Sequence, residues 1–228
     1  MTVSNERVRS DAKETVRLRY VAMTSTLAFA AVCWVVAIRQ MVGMNMGVAS
    51  QLGSLRFFVV LWASMMAAMM LPGATPAVSR RAQATGQLSV VPLFVGSYLA
   101  VWTLIGVAVF ALYRPHGAIS AGVVVIVAGV YELTPLKSHF RRRCSADVRS
   151  GFEFGFCCLG SSIGLMLVLV AVSIMSITWM SMIAVLSLAQ KLLPVRALVD
   201  VPVALTIIGL GVLIIIDPAS IPGLMPPM

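Results

Sequence analysis

An all-α fold, a polytopic membrane bundle of about seven transmembrane helices with a cytoplasmic N-terminus, follows from three observations on this 228-residue chain. Hydrophobic residues make up 60% and charged residues only 11%, with a mean hydropathy of +0.98. That leaves too little polar surface to clothe a soluble globule. The apolar residues are gathered in runs of about 16 to 24, close to the length that crosses ~30 Å of hydrocarbon at ~1.5 Å per residue. Basic residues collect between these runs, so the formal charge of +9 marks orientation in a bilayer and not nucleic-acid binding.

Residues 1–20 form a polar extension of mixed charge, expected on the cytoplasmic side and suited to a short helix lying on lipid headgroups. The bundle occupies residues 21–217. Its first span is Val21 to Ile38; Ala28-Phe-Ala30 imitates a signal-peptidase site, but the apolar run continues past it, so the span is expected to stay uncleaved. Six more follow: Leu55 to Leu71, Val90 to Tyr113, Ile119 to Leu136, Phe152 to Ile174, Ile177 to Leu192 and Val201 to Ile216. Residues 173–178 offer the only turn between the fifth and sixth, and a merger there would leave six spans. Residues 218–228 are a Pro-rich tail, read as irregular. With the N-terminus inside, 14 of the 17 basic residues face the cytoplasm and only Arg39, Arg56 and Arg114 do not, which orients the chain as a multi-pass membrane protein.

The second span carries Met65, Met66, Met69 and Met70 at helical spacing, so their thioethers face one another across adjacent turns. Soft sulfur ligands of this kind suit Cu(I). Packing is the competing reading, since methionine fills irregular gaps and Ala67-Ala68 lets a neighbouring helix approach. Pro72 and Pro76 are expected to end the helix or break it into a loop.

The topology also stacks polar groups at one level near the cytoplasmic face. Glu132 on the fourth span, Cys158 with Ser161 and Ser162 on the fifth, and Gln190-Lys191 on the sixth share the depth of the four methionines. An ionisable group inside a span needs a partner, and Lys191 is the partner expected for Glu132, either as a structural ion pair or as part of a relay. Glu153 lies near enough to the interface to be solvated.

On the outer side, Met41, Met44 and Met46 in a Gly-containing loop form a capture site for Cu(I), or else a loop seated against lipid. Cys33, Cys144, Cys157 and Cys158 are expected as free thiols, because none falls in an outward loop. Adjacent Cys157 and Cys158 point about 100° apart on a helix and do not face one ligand together. His116 falls in an outer turn and His139 in a basic inner loop, so neither ligates haem within a span. The chain carries no phosphate loop, nucleophile elbow, H-E-x-x-H or C-x-x-C motif, and nothing in it supports a hydrolase, a kinase or a dinucleotide enzyme.

Four blocks carry a likeness to a known family: Trp62 with the methionine stretch through Leu71-Pro72 and Pro76; Tyr131-Glu-Leu-Thr-Pro-Leu-Lys137; Gly155-Phe-Cys-Cys-Leu-Gly160; and Lys191-Leu-Leu-Pro194. Over residues 39–216 the chain resembles a bacterial family of integral membrane proteins described as predicted metal-binding (domain of unknown function 2182). The resemblance implies a multi-pass protein of the bacterial inner membrane with a metal site drawn from methionine and cysteine. The family pattern carries Cys where Phe140, Ser161 and Ser162 stand here, while Cys144 and Cys158 match. It also has Gln at Glu132 and Glu at Gln190, so one carboxylate has moved between helices.

These readings converge on a membrane protein that handles a soft metal, copper, by binding, delivery or transport. Met41, Met44 and Met46 serve outer capture, and Met65, Met66, Met69, Met70 and Cys158 are inner ligands beside a polar layer of Glu132, Gln190 and Lys191. Expected partners are membrane lipids and other membrane or periplasmic proteins, with no nucleic acid. A rival reading makes the chain a non-catalytic subunit or assembly factor of a larger membrane complex, and a third a transporter of a small polar solute through the Glu132 and Lys191 layer.

Overall fold

The computed structural model describes residues 2–42, 54–113, 117–145, 150–172, 176–193 and 197–218, and within them the chain is all α. Met44, Met46 and His116 lie outside the described residues. Eight helices follow in order: α1 (Thr2–Met41), α2 (Leu55–Thr85), α3 (Val90–Leu112), α4 (Ala118–Glu132), α5 (Pro135–Ser145), α6 (Gly151–Val172), α7 (Ile177–Leu192) and α8 (Ala197–Ile216).

Four of them are long and apolar enough to cross a membrane: α1 from Lys13, α2, α3 and α6. The α4–α5 pair adds a fifth if the two are one span, bent by 64° at Leu133-Thr134. Pro135 accounts for the break, because its ring disfavours helical backbone at the residue before it. The apolar stretches in α7 and α8, Ile177–Leu192 and Asp200–Ile216, are shorter. The fifth and sixth apolar runs do not merge: α6 stops at Val172, and α7 restarts at Ile177 with Ser176 capping it, its Oγ accepting from the Trp179 amide at 3.5 Å.

The polar N-terminal segment is not a separate headgroup helix, since α1 runs unbroken from Thr2 into the apolar run. Neither do Pro72 and Pro76 end the second helix. α2 passes through both and stops only at Gly86, whose φ of 67° provides a left-handed cap. Thr75 donates to the Leu71 carbonyl at 3.0 Å and Ser79 to that of Pro76 at 3.0 Å, so hydroxyls serve carbonyls in the stretch where the prolines withdraw two amide donors.

α2 and α6 form the centre. α2 packs on α1, α3 and α7, while α6 packs on α3, α4, α5 and α7, and α8 is held mainly by α4. α1 runs antiparallel to α2, with Gln83 donating to the Thr15 carbonyl at 3.4 Å. Glycine makes the α4–α8 contact close: a Cβ on Gly122 would sit 2.8 Å from the Gly211 carbonyl oxygen, and one on Gly211 would sit 2.9 Å from that of Gly122. Between α2 and α3, Trp62 lies where a Gly106 side chain would be and donates to the Trp102 carbonyl at 2.8 Å. This packing leaves the lower half of α2 facing α7 and the adjoining part of α6.

Candidate metal centre

All four α2 methionines are buried, none more than 2% exposed. Met70 makes polar contacts: Ser187 of α7 donates to its sulfur at 3.6 Å and Lys191 of the same helix at 3.5 Å. Met65, Met66 and Met69 sit in the same apolar core. Met41, at the end of α1, is also buried, at 3%.

Cys158, on α6, is fully buried and faces two polar groups. The Lys191 ammonium lies 2.9 Å from its Sγ and the Tyr98 hydroxyl 3.2 Å. One ammonium therefore touches a thioether from α2 and a thiol from α6. Gly73 makes this possible, because a side chain there would collide with Cδ of Lys191. Cys157, offset by about 100° from Cys158 on the helix, pairs its thiol with Cys144 of α5, and Cys144 lies close enough to Cys158 to feel its charge as well. Cys144 also pairs with Ser161. Burial first, then the neighbouring Cys158 and Cys157, push the Cys144 thiol well above the ordinary thiol range. All four cysteines are free.

A cavity of about 150 Å³ opens beside this sulfur pair. Cys144, Ser161, Gln190 and Lys191 line it with Arg80 and Arg141, and Gly73, Pro76 and Ala77 supply the α2 wall. Lys191 stands between the cavity and the Met70–Cys158 pair, since its side chain belongs to both.

Glu132 does not pair with Lys191. It is 2% exposed and its Oε2 takes both Lys137 of α5, as a salt bridge, and the Gln190 side-chain amide at 2.9 Å. The chain turns at the α4–α5 break, which brings Lys137 back onto Glu132 and releases Lys191 toward sulfur. The Glu132–Gln190 contact also explains the exchange relative to the resembled family, because acid and amide swap ends of one hydrogen bond. Among the described residues Arg141 is also a buried cation: it bonds Asp200 of α8 at 2.5 Å, and its second terminal nitrogen donates to the carbonyls of Gln190 and, at 3.1 Å, Leu193. The basic run on α5 is thus partly an internal clamp as well as a surface feature. Glu153 is exposed, as expected near an interface.

Met70, Cys158, Gln190 and Lys191 are the expected residues that the fold gathers, with Glu132 reached through Gln190. Cys144, Tyr98 and Lys137 were not singled out as part of the site from the sequence. Their spacing carries no periodic signal, although Lys137 and Cys144 fall in or beside the blocks of family resemblance. Among the described residues no group of three or more His, Cys, Asp or Glu side chains could hold a metal ion. A metal at this place has to combine thiol with thioether, a donor set that fits Cu(I) and disfavours hard divalent ions.

The family described as PpoB2, copper chaperone, matches residues 59–214, a stretch that contains every residue of this centre. No curated protein and no solved structure matches the chain.

Proposed function

Because the chain belongs to the PpoB2 family of copper chaperones, we propose that it is a multi-pass inner-membrane protein that holds Cu(I) on Cys158 and Met70, with Cys144 at the mouth of the site, and hands the metal on. The observation that carries this reading is the Lys191 ammonium lying between Cys158 and Met70, a cationic group already seated among soft donors from two other helices. Cu(I) bound by two thiolates carries a net negative charge, and Lys191 is placed to compensate it inside a low-dielectric bundle. Seven spans with the N-terminus inside put Arg80, Arg81 and the α5 arginines on the cytoplasmic side, so the cavity opens there. Met44 and Met46 would then serve capture on the opposite face, while Met41 is buried at the end of α1.

Metal analysis of the purified protein after Cu(I) loading tests the assignment. One tightly held copper per chain is expected, lost in Met70→Leu with Cys158→Ser, whereas Met44→Leu with Met46→Leu reports on the outer loop alone. Wild-type protein that retains no copper above background would overturn it. The subunit or assembly-factor reading draws on one feature, an apolar groove of about 520 Å³ between α1 and α3 lined by Val21, Phe29, Val91, Val95 and Leu99. It would gain if copper is absent and a defined membrane complex fails to assemble without the chain.

A further inference from the structure

The cavity beside the sulfur pair has an electrostatic character at odds with a bare cation as its occupant. Arg80, Arg141 and Lys191 line it, and among the described residues no carboxylate does. Arg141 is paired with Asp200, which leaves Arg80 and Lys191 as the cations lining the space without a described carboxylate partner. A pocket lined by one sign of charge concentrates ligands of the other and repels its own. Aquated Cu(I) is therefore the wrong form for this opening. Copper complexed by two thiolates is a different particle, since its charge is −1 and any carboxylates on the donor add to that.

Resting on the copper reading above, we propose that the cavity takes copper as an anionic Cu(I) bis-thiolate complex of a small carboxylate-bearing thiol, with Arg80 and Lys191 countering its charge, and transfers the metal inward by ligand exchange. Cys144 lines the cavity and meets the complex first. Its Sγ bonds copper as one donor–copper bond breaks, and its proton passes to the departing donor sulfur. Cys158 repeats the exchange with the second donor while Lys191 moves from its sulfur toward the cavity, and Met70 completes the set. Two donor thiols leave protonated, copper stays Cu(I), and no electron is transferred. The Lys191 ammonium that balanced the incoming complex then balances the bis-thiolate formed by Cys144 and Cys158. Gly73 clears the path for that movement, because its missing side chain is the space through which the Lys191 stem runs.

The experiment measures the transfer rate of Cu(I) to the full-length protein in neutral-lipid nanodiscs by stopped-flow thiolate-to-copper absorption. Copper is presented as its bis-thiolate complex with glutathione (anionic), 2-mercaptoethanol (uncharged ligand arm) or cysteamine (cationic). Glutathione complex is expected to transfer at least tenfold faster than the cysteamine complex at low salt, with the ratio collapsing toward one at high ionic strength. Arg80→Gln should cut that ratio several-fold, and Arg39→Gln, about 36 Å away along α1 from the Thr15 end, should leave it as it is. Equal rates from the three donors, or a ratio untouched by Arg80→Gln, would overturn the proposal while copper retention stands. Transfer from no donor at all would overturn both it and the copper assignment.

Discussion

Lys191 and Cys158 meet across the α6–α7 interface, ammonium nitrogen 2.9 Å from thiol sulfur, and the same nitrogen lies 3.5 Å from Met70. Among the described residues no carboxylate pairs with this lysine on sulfur, because Glu132 is bound to Lys137 and Gln190 and Asp200 to Arg141. If that ammonium balances a copper bis-thiolate, Lys191→Met leaves the loaded site with an uncompensated negative charge. Its Cu(I) dissociation constant should rise by tenfold or more, about 1.4 kcal/mol, in competition with a Cu(I) chelator. Unchanged or tighter affinity would mean that Lys191 merely blocks the site.

The buried Glu132 makes a separate prediction about stability. Glu132→Gln strands Lys137 at 1% exposure without its counter-charge, a change that costs about 3–5 kcal/mol when a buried pair loses one partner. Adding Gln190→Glu returns a carboxylate to the other end of the same hydrogen bond and should restore a large part of the loss. The readout is the apparent Tm in detergent of the single and double variants, and a double variant no better than Glu132→Gln would break the equivalence of the two positions.

These two relationships mark where sequence reasoning stops. Helix positions were legible from hydropathy: the runs beginning at Leu55, Val90 and Ile177 and those ending at Leu192 and Ile216 coincide with helix ends. Met70, Cys158, Gln190 and Lys191, read at one depth from the sequence, lie within one connected set of contacts. Partner choice was not legible, because it depends on a bend. On a straight helix Lys137 would point about 140° from Glu132; only the break at Leu133-Thr134 folds it back. The prolines misled for a different reason: α2 is packed on α1, α3 and α7, and that packing carries the helix through Pro72 and Pro76, where an isolated helix in water would end.

The α4–α8 contact rests on backbone-to-backbone approach. Gly211→Ala places a methyl 2.9 Å from both the Gly122 carbonyl oxygen and the Ile126 amide, neither of which is a flexible side-chain end. Overpacking of this kind costs about 1–3 kcal/mol. The apparent Tm should fall by several degrees, while Gly209→Ala, which meets nothing, should be close to neutral. Equal behaviour of the two variants would show that α8 is not held this way.

Copper uptake should also release protons. The Cys144 thiol is held well above its ordinary range, first by burial and then by the adjacent Cys158 and Cys157, so it is protonated throughout neutral pH. A thiolate is the ligand, and each proton that must leave makes binding stronger as pH rises, by about tenfold per pH unit for one thiol while that thiol stays protonated in the free protein. Between pH 6 and 8 the Cu(I) affinity of the wild type should therefore climb with a slope set by the number of thiols deprotonated, and Cys144→Ser should reduce that slope by about one. A chelator competition series at fixed ionic strength, with proton release followed by a pH dye in weak buffer, measures both quantities. A slope that Cys144→Ser leaves unaltered would remove Cys144 from the ligand set and confine the metal to Cys158 and Met70.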